Sequence, residues 1–190
     1  TGFHVHVAEG PGDQVDSLQK YGKRIVNRLY ENGVLGEKTL AIHCVHVNPA
    51  EMRLLKQTDT MVVHNPESNM GNAVGCGPVI RLYQEGILLG LGTDGYTNDM
   101  IESYKVGNII HKHNLCDPTV AWGEIPAMLF ENNPRIAGRF FRRPLGVLKP
   151  GAYADVIVTD YDPLTPMDGG NVNGHILFGM NGRSVITTVC

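Results

Sequence analysis

Six side chains of the kind that bind metals or move protons stand at the ends of short apolar runs: His6, Glu9, His43, His46, His64 and Asp94. Neutral imidazole and carboxylate together suit Zn²⁺ or Fe²⁺. A bound divalent ion lowers the pKa of its water to about 7, so that hydroxide forms at neutral pH. His6 and Asp94 are the candidate ligands. Glu9, just past the end of the first run, is placed to carry protons between that water and a substrate nitrogen. His43 is placed to hydrogen-bond the substrate atom that turns negative during attack. His46 reads as a pocket wall or surface residue. His64 and Asn65 open a loop suited to substrate contact, and Asn69, Met70 and Asn72 share that loop, although Asn and Gly there commonly serve turn geometry. His111 and His113 lie two apart on a helix and so on different faces; they read as structural, as does His175. A single strand histidine is ordinarily a hydrogen-bonded core residue, and an Asp after a strand is ordinarily a cap. The joint placement of His6, Glu9, His43 and Asp94 is what points to chemistry.

The elements that must position these groups alternate. Thr1 to Ala8 reads as a strand with His4 and His6 on one face. Asp13 caps a helix whose apolar positions run from Val15 through Leu18, Tyr21, Ile25 and Val26 to Leu29, with Asn32-Gly33 as its stop. Thr39 to Val45 is a second strand, and Asn48-Pro49 starts a second helix. Thr60 to His64 is a third strand, followed by an Asn- and Gly-rich loop over 65–77 and a short helix from about Pro78 to Glu85. Ile87 to Thr93 is a fourth strand. Gly95 gives the backbone room to turn past Asp94. Helical stretches follow over about 98–114 and 118–132, then four arginines (Arg135, Arg139, Arg142, Arg143) that read as a solvated helix end. Short apolar strands alternating with helices imply parallel pairing. A closed βα barrel and an open doubly wound sheet both fit. Ionisable groups at the C-terminal ends of all the strands favour the barrel. From about Pro144 the pattern changes to strands over 154–159 and 184–189 separated by turns, which suggests a small β module without helices.

Composition excludes several classes. The net charge of −3 offers no basic surface for nucleic acid. No apolar run approaches the roughly 20 residues needed to cross a bilayer, and no stretch of these residues reads as a secretory signal. Cys44, Cys76, Cys116 and Cys190 form no CxxC pair, which reads as reduced thiols in a cytoplasmic protein, with Cys44 a small buried hydrophobe. The first loop lacks GxGxxG, so nothing supports a dinucleotide site. The sequence opens without Met and in mid-strand, which reads as a piece of a longer chain.

HVHVAEG, AIHCVHV, VVHNPESNMGNAVG and LGLGTDGYTNDM, in this order and spacing, resemble the amidohydrolase superfamily, and within it the aminohydrolase and chlorohydrolase group. The likeness extends into PLGVLKPGAYADVIVTDYDPLTP, and GHILFGMNGRSV is similar to the SsnA aminohydrolases. The resemblance implies an α/β fold: the second half of a metal-dependent-hydrolase (β/α)8 TIM barrel over residues 1–143, then part of a small β-sandwich over 144–190. It implies that His6 and Asp94 bind one divalent metal, zinc first and iron second. Glu9, His43 and Asp94 would be catalytic, and His43, His64, Asn65 and Asn69 would meet a small-molecule substrate. The implied reaction is hydroxide attack on a carbon–nitrogen bond of a small, heterocyclic substrate, with hydrolytic dechlorination or cyclic-amide hydrolysis as the alternatives. The two metal ligands that the superfamily carries on its first strand are missing from this sequence, so the 190 residues alone are expected to be inactive and to hold metal weakly. A non-catalytic half-barrel used for binding is the reading from another class. An unpaired barrel edge makes homo-oligomers plausible.

Overall fold

The computed structural model describes residues 2–190; Thr1, the first residue of the expected opening strand, lies outside them. Strands β1 (His4–Val7), β2 (Leu40–His43), β3 (Met61–His64) and β4 (Leu89–Leu91) form one sheet in the order β1-β2-β3-β4. Every pairing is parallel, with Val7 opposite His43 and His64 opposite Leu91, so the four C-terminal ends share one edge. The outward face of the sheet carries Val7, Ala41, Val62 and Leu89, all fully buried against the helix-borne Leu55, Leu82 and Ile125. Full burial of a Leu or Ile side chain contributes about 1.5–3 kcal/mol, so this layer fixes the sheet against its helices. The α/β reading therefore describes the fold.

Several boundaries differ from expectation, each for a local reason. The expected long first helix is two, α1 (Pro11–Tyr21) and α2 (Ile25–Glu31). Gly22 takes a left-handed φ of 66° and its N–H returns to the Leu18 carbonyl, ending α1 although the apolar spacing runs on. α3 (Pro49–Gln57) starts where expected, with Asn48 and Glu51 exchanging side-chain-to-backbone bonds of 2.9 and 3.0 Å. The expected loop over 65–77 begins with a helix, α4 (Pro66–Gly71), because Asn65-Pro66 repeats the Asn48-Pro49 start signal. α5 (Val79–Gln84) and α6 (Met100–Leu115) follow, the latter capped by Asp99.

The helix expected over 118–132 starts later, as α7 (Glu124–Ala127), widens into a π-turn over Met128–Asn132, and continues as α8 (Asn133–Ala137). Pro134 has no N–H, and its ring cannot sit against the carbonyl four residues back, which favours the wider turn. That turn aims two consecutive amides at the sheet. Asn132 Nδ2 donates to Leu89 O (2.9 Å), while Asn133 takes Leu91 N (3.1 Å) and donates to Leu91 O (2.8 Å). The outer edge of β4 is thus occupied by side chains. The argument for self-association through an open edge now rests on β1, which among the described residues pairs only with β2. Arg139, expected to be solvated, bonds the carbonyls of Glu37 and Asp59 and the Asp59 carboxylate.

The last segment holds an antiparallel pair, β5 (Val156–Thr159) and β6 (Val185–Val189). Contrary to the helix-free expectation, α9 (Val172–Phe178) lies between them and buries Leu177 in the core that contains Tyr104. Its apolar positions are too few to stand out behind the Asp168-Gly169-Gly170 turn.

Candidate metal centre

The backbone is unusual where the strands end. Ala8, His43, Cys44 and Asp94 have φ values of 49°, 72°, 51° and 55°. Left-handed backbone at non-glycine residues costs on the order of 1–3 kcal/mol each and collects at functional sites. The turn expected from Gly95 is made by Asp94 itself, and Gly95 N donates to Asp94 Oδ1 at 2.6 Å.

These turns bring His6, Glu9, His43 and Asp94 together. Glu9 Oε2 lies 3.6 Å from His6 Nδ1 and 3.5 Å from His43 Nε2. Asp94 Oδ2 lies 3.7 Å from His43 Nε2. The His6 and His43 rings meet edge to face with centroids 4.9 Å apart. One ligand atom each from His6, Glu9 and His43 falls within a span of 4.8 Å. His43 is buried, whereas His6 is open to solvent on the outer side.

α4 holds three of these four groups. Ser68 Oγ donates to Asp94 Oδ2 (2.7 Å), Asn69 Oδ1 pairs with His43 Nδ1 (2.8 Å), and Asn72, the residue after α4, donates to Glu9 Oε1 (3.3 Å). α4 is itself tied to α6, where Ser103 Oγ donates to Glu67 Oε2 at 2.7 Å. Burial raises the Glu67 pKa, which the Ser103 bond partly offsets. The bonds from Ser68 and from Gly95, followed by the nearby His43 and His6, hold the Asp94 carboxyl below its usual range and so keep it ionised.

The donor set fits a divalent cation on a specific ground. With Asn69 Oδ1 as acceptor, His43 Nδ1 carries a proton. Nε2 is buried and has no hydrogen-bond partner. It faces two carboxylate oxygens at 3.5 and 3.7 Å, a separation that suits atoms sharing one divalent ion. Ligand atoms of His6, Glu9 and His43 lie close enough to share such an ion, while Asp94 stands beside His43 and outside that group of three.

The other expected substrate residues sit differently. Asn69 is 2% exposed and engaged with His43, though its Nδ2 is buried without a partner. Asn65 is buried against the strand end; a Cβ on Gly92 would run into Asn65 Oδ1 and Val63 Cγ1, so a side chain there would displace one of them. His64 points to the helix layer, where its Nε2 meets His111 Nε2 at 3.0 Å; His111 Nδ1 in turn lies 3.5 Å from Cys76 Sγ. Burial lowers both imidazole pKa values, that of His111 to about 4. His46 fastens the loop after β2 through Val74 O. Sequence reasoning passed over Ser68, and it read His111 as structural without its bond to His64. The i, i+1, i+4 spacing of Ser68, Asn69 and Asn72 was the available signal, hidden because the segment read as a loop.

A parallel sheet with ionisable groups at its C-terminal edge, and imidazoles facing carboxylates there, makes a candidate divalent-cation site on a βα framework. The chain belongs to the amidohydrolase family, whose model matches residues 1–190. It is 36% identical over 195 residues to a 5'-deoxyadenosine deaminase of Methanothermobacter thermautotrophicus, covering 99% of this chain and 44% of that protein. It is 40% identical over 167 residues to a 5-methylthioadenosine/S-adenosylhomocysteine deaminase of Syntrophomonas wolfei, covering 83% of this chain and 37% of that one. In structure it is similar to a zinc-bound adenosine deaminase of Xanthomonas campestris, with TM-score 0.85, 26% identity, and coverage of 100% of this chain and 44% of the other. The chain thus spans less than half the length of these relatives.

Proposed function

We propose that the protein carrying this chain is a metal-dependent aminohydrolase that deaminates an adenosine-type nucleoside, of the kind named for its 5'-deoxyadenosine and 5-methylthioadenosine/S-adenosylhomocysteine deaminase relatives. The observation that carries the proposal is the buried, unpartnered His43 Nε2 held between Glu9 and Asp94. His6 and Asp94 would hold the ion, zinc by analogy with the Xanthomonas relative and iron second. Such an ion supplies a water with lowered pKa and a positive charge beside the developing oxyanion.

The residues of this chain do the rest. Asp94, ionised and aimed by Ser68, takes a proton from the attacking water. Glu9, fixed on Oε1 by Asn72, leaves Oε2 free to hold a proton and pass it to the ring nitrogen and then to the departing amine. His43, oriented by Asn69, faces the oxygen that gains charge. The C–N bond breaks and a C–O bond forms; of water's two hydrogens, one ends on the ring nitrogen of the product and the other leaves with the amine as ammonia. Asn65, buried at the strand end, would shape the wall of the substrate space, whereas His64 turns away to His111. We also place the partial barrel at 1–143 and the partial β-sandwich at 144–190. The adenosine-type relatives favour deamination over dechlorination, since the likeness to the chlorohydrolase TrzN is 21% identical and speaks to fold alone. The test is ammonia release by the full-length, metal-loaded protein from 5'-deoxyadenosine, 5'-methylthioadenosine, S-adenosylhomocysteine, guanine, cytosine and a chlorotriazine. Release from the adenosine series is expected; turnover confined to guanine, cytosine or the triazine would overturn the substrate class.

A further inference from the structure

A cavity of about 850 Å³ lies apart from the metal centre and shares no lining residue with it. It is bounded by α1, the loop after β2, the Cys76–Pro78 segment, α5 and the C-terminal end of α6. Its volume is that of a small-molecule site rather than a packing defect. The body is apolar, formed by Val45, Val47, Pro78, Val79, Ile80 and Leu115.

The polar groups on its wall are one-sided. Arg24 and Arg81 line it, and no Asp or Glu does, although the chain carries a net charge of −3. Arg24 is held in place from below: Nε bonds the buried Glu51 carboxylate at 2.7 Å, and Nη2 bonds the His46 carbonyl at 2.7 Å. Glu51 is satisfied on its own account by Gln14, Arg24, Val26 N and Asn48 N. A guanidinium has five N–H donors, and among the described residues the Nη1 donors of Arg24 have no partner. Arg81 is half-exposed and only loosely paired, with Nε 3.9 Å from Glu85. Gln84 and Asn114 add amides to the same wall, while the Gln14 amide is taken up by His46 O, Glu51 and Ile25 N. An apolar chamber with one rigid guanidinium, one adaptable guanidinium and no carboxylate complements an anion carrying an apolar body.

We propose that this cavity is a second ligand site, distinct from the metal centre, for a small organic anion with an apolar or aromatic body. The probe is 2-naphthoate, with neutral 2-naphthamide as its uncharged counterpart, titrated calorimetrically into the full-length protein. Naphthoate is expected to bind about tenfold or more tightly than naphthamide. Arg81→Ala should remove most of that preference. Leu115→Trp, which adds bulk to the cavity wall at a half-exposed position, should abolish binding while leaving the thermal midpoint unchanged. His6→Ala should leave naphthoate binding as it was. Equal affinity for the two probes, no binding of either, or loss of binding in His6→Ala but not in Arg81→Ala would each overturn the proposal.

Discussion

The buried His64–His111 pair makes stability depend on pH in a way that can be worked out. Both rings are almost wholly buried, 2% and 1% exposed, and they meet at 3.0 Å. In the unfolded chain each imidazole titrates near 6.5. In the folded protein, burial, and to a lesser degree Lys112, pull His111 down to about 4. Between those two values the unfolded chain takes up a proton that the folded protein refuses, so stability falls as the pH falls through this window and levels off below it. At about 1.4 kcal/mol per pH unit, the interval from 6.5 to about 4 corresponds to about 3 kcal/mol from His111 alone. His111→Gln keeps a donor for His64 Nε2 and removes the titration. Urea unfolding, followed by far-ultraviolet circular dichroism at pH 7, 6, 5 and 4, measures both proteins. Across this range the parent should lose about 3 kcal/mol more than the variant. Parallel losses in the two would refute the reasoning, because they would show that His111 titrates in the folded state as it does in water.

Two further outcomes follow from α4 and from the outer edge of β4. Ser68→Ala removes the leading cause of the low Asp94 pKa, so Asp94 becomes harder to ionise: the acid limb of the kcat/KM profile should move to higher pH, with about a tenfold loss of kcat/KM. An unmoved limb would separate Ser68 from Asp94. Asn133→Ala strips both partners from Leu91 N and O; it should destabilise by about 1–3 kcal/mol and increase association in sedimentation velocity, whereas parent-like melting and sedimentation would mean that the edge needs no cover.

Much of the framework was legible because it is written locally. The four apolar runs, the Asn48-Pro49 start and the ionisable groups at strand ends each follow from short-range patterns, and parallel pairing follows from their alternation. What stayed hidden needed geometry. Asp94 carries its own left-handed turn, which Gly95 seemed to explain. α4 was masked by glycine and asparagine, although its proline start signal was in plain view, and with it went the bonds from Ser68 and Asn69. The partnership of His64 with His111 spans 47 residues, beyond anything spacing can report. The π-turn that lets Asn132 and Asn133 cover β4 depends on a backbone adjustment at Pro134 that no periodicity encodes.

The central claim is that His6 and Asp94, with Glu9 and His43 beside them, hold one divalent ion. Its most direct test is the zinc content, by mass spectrometry, of the full-length protein and of its His6→Ala, Asp94→Ala and His64→Gln variants after zinc loading and exhaustive dialysis. The account predicts about one zinc per chain in the parent and in His64→Gln, and close to none in the other two. Full zinc retention in His6→Ala and Asp94→Ala would contradict it.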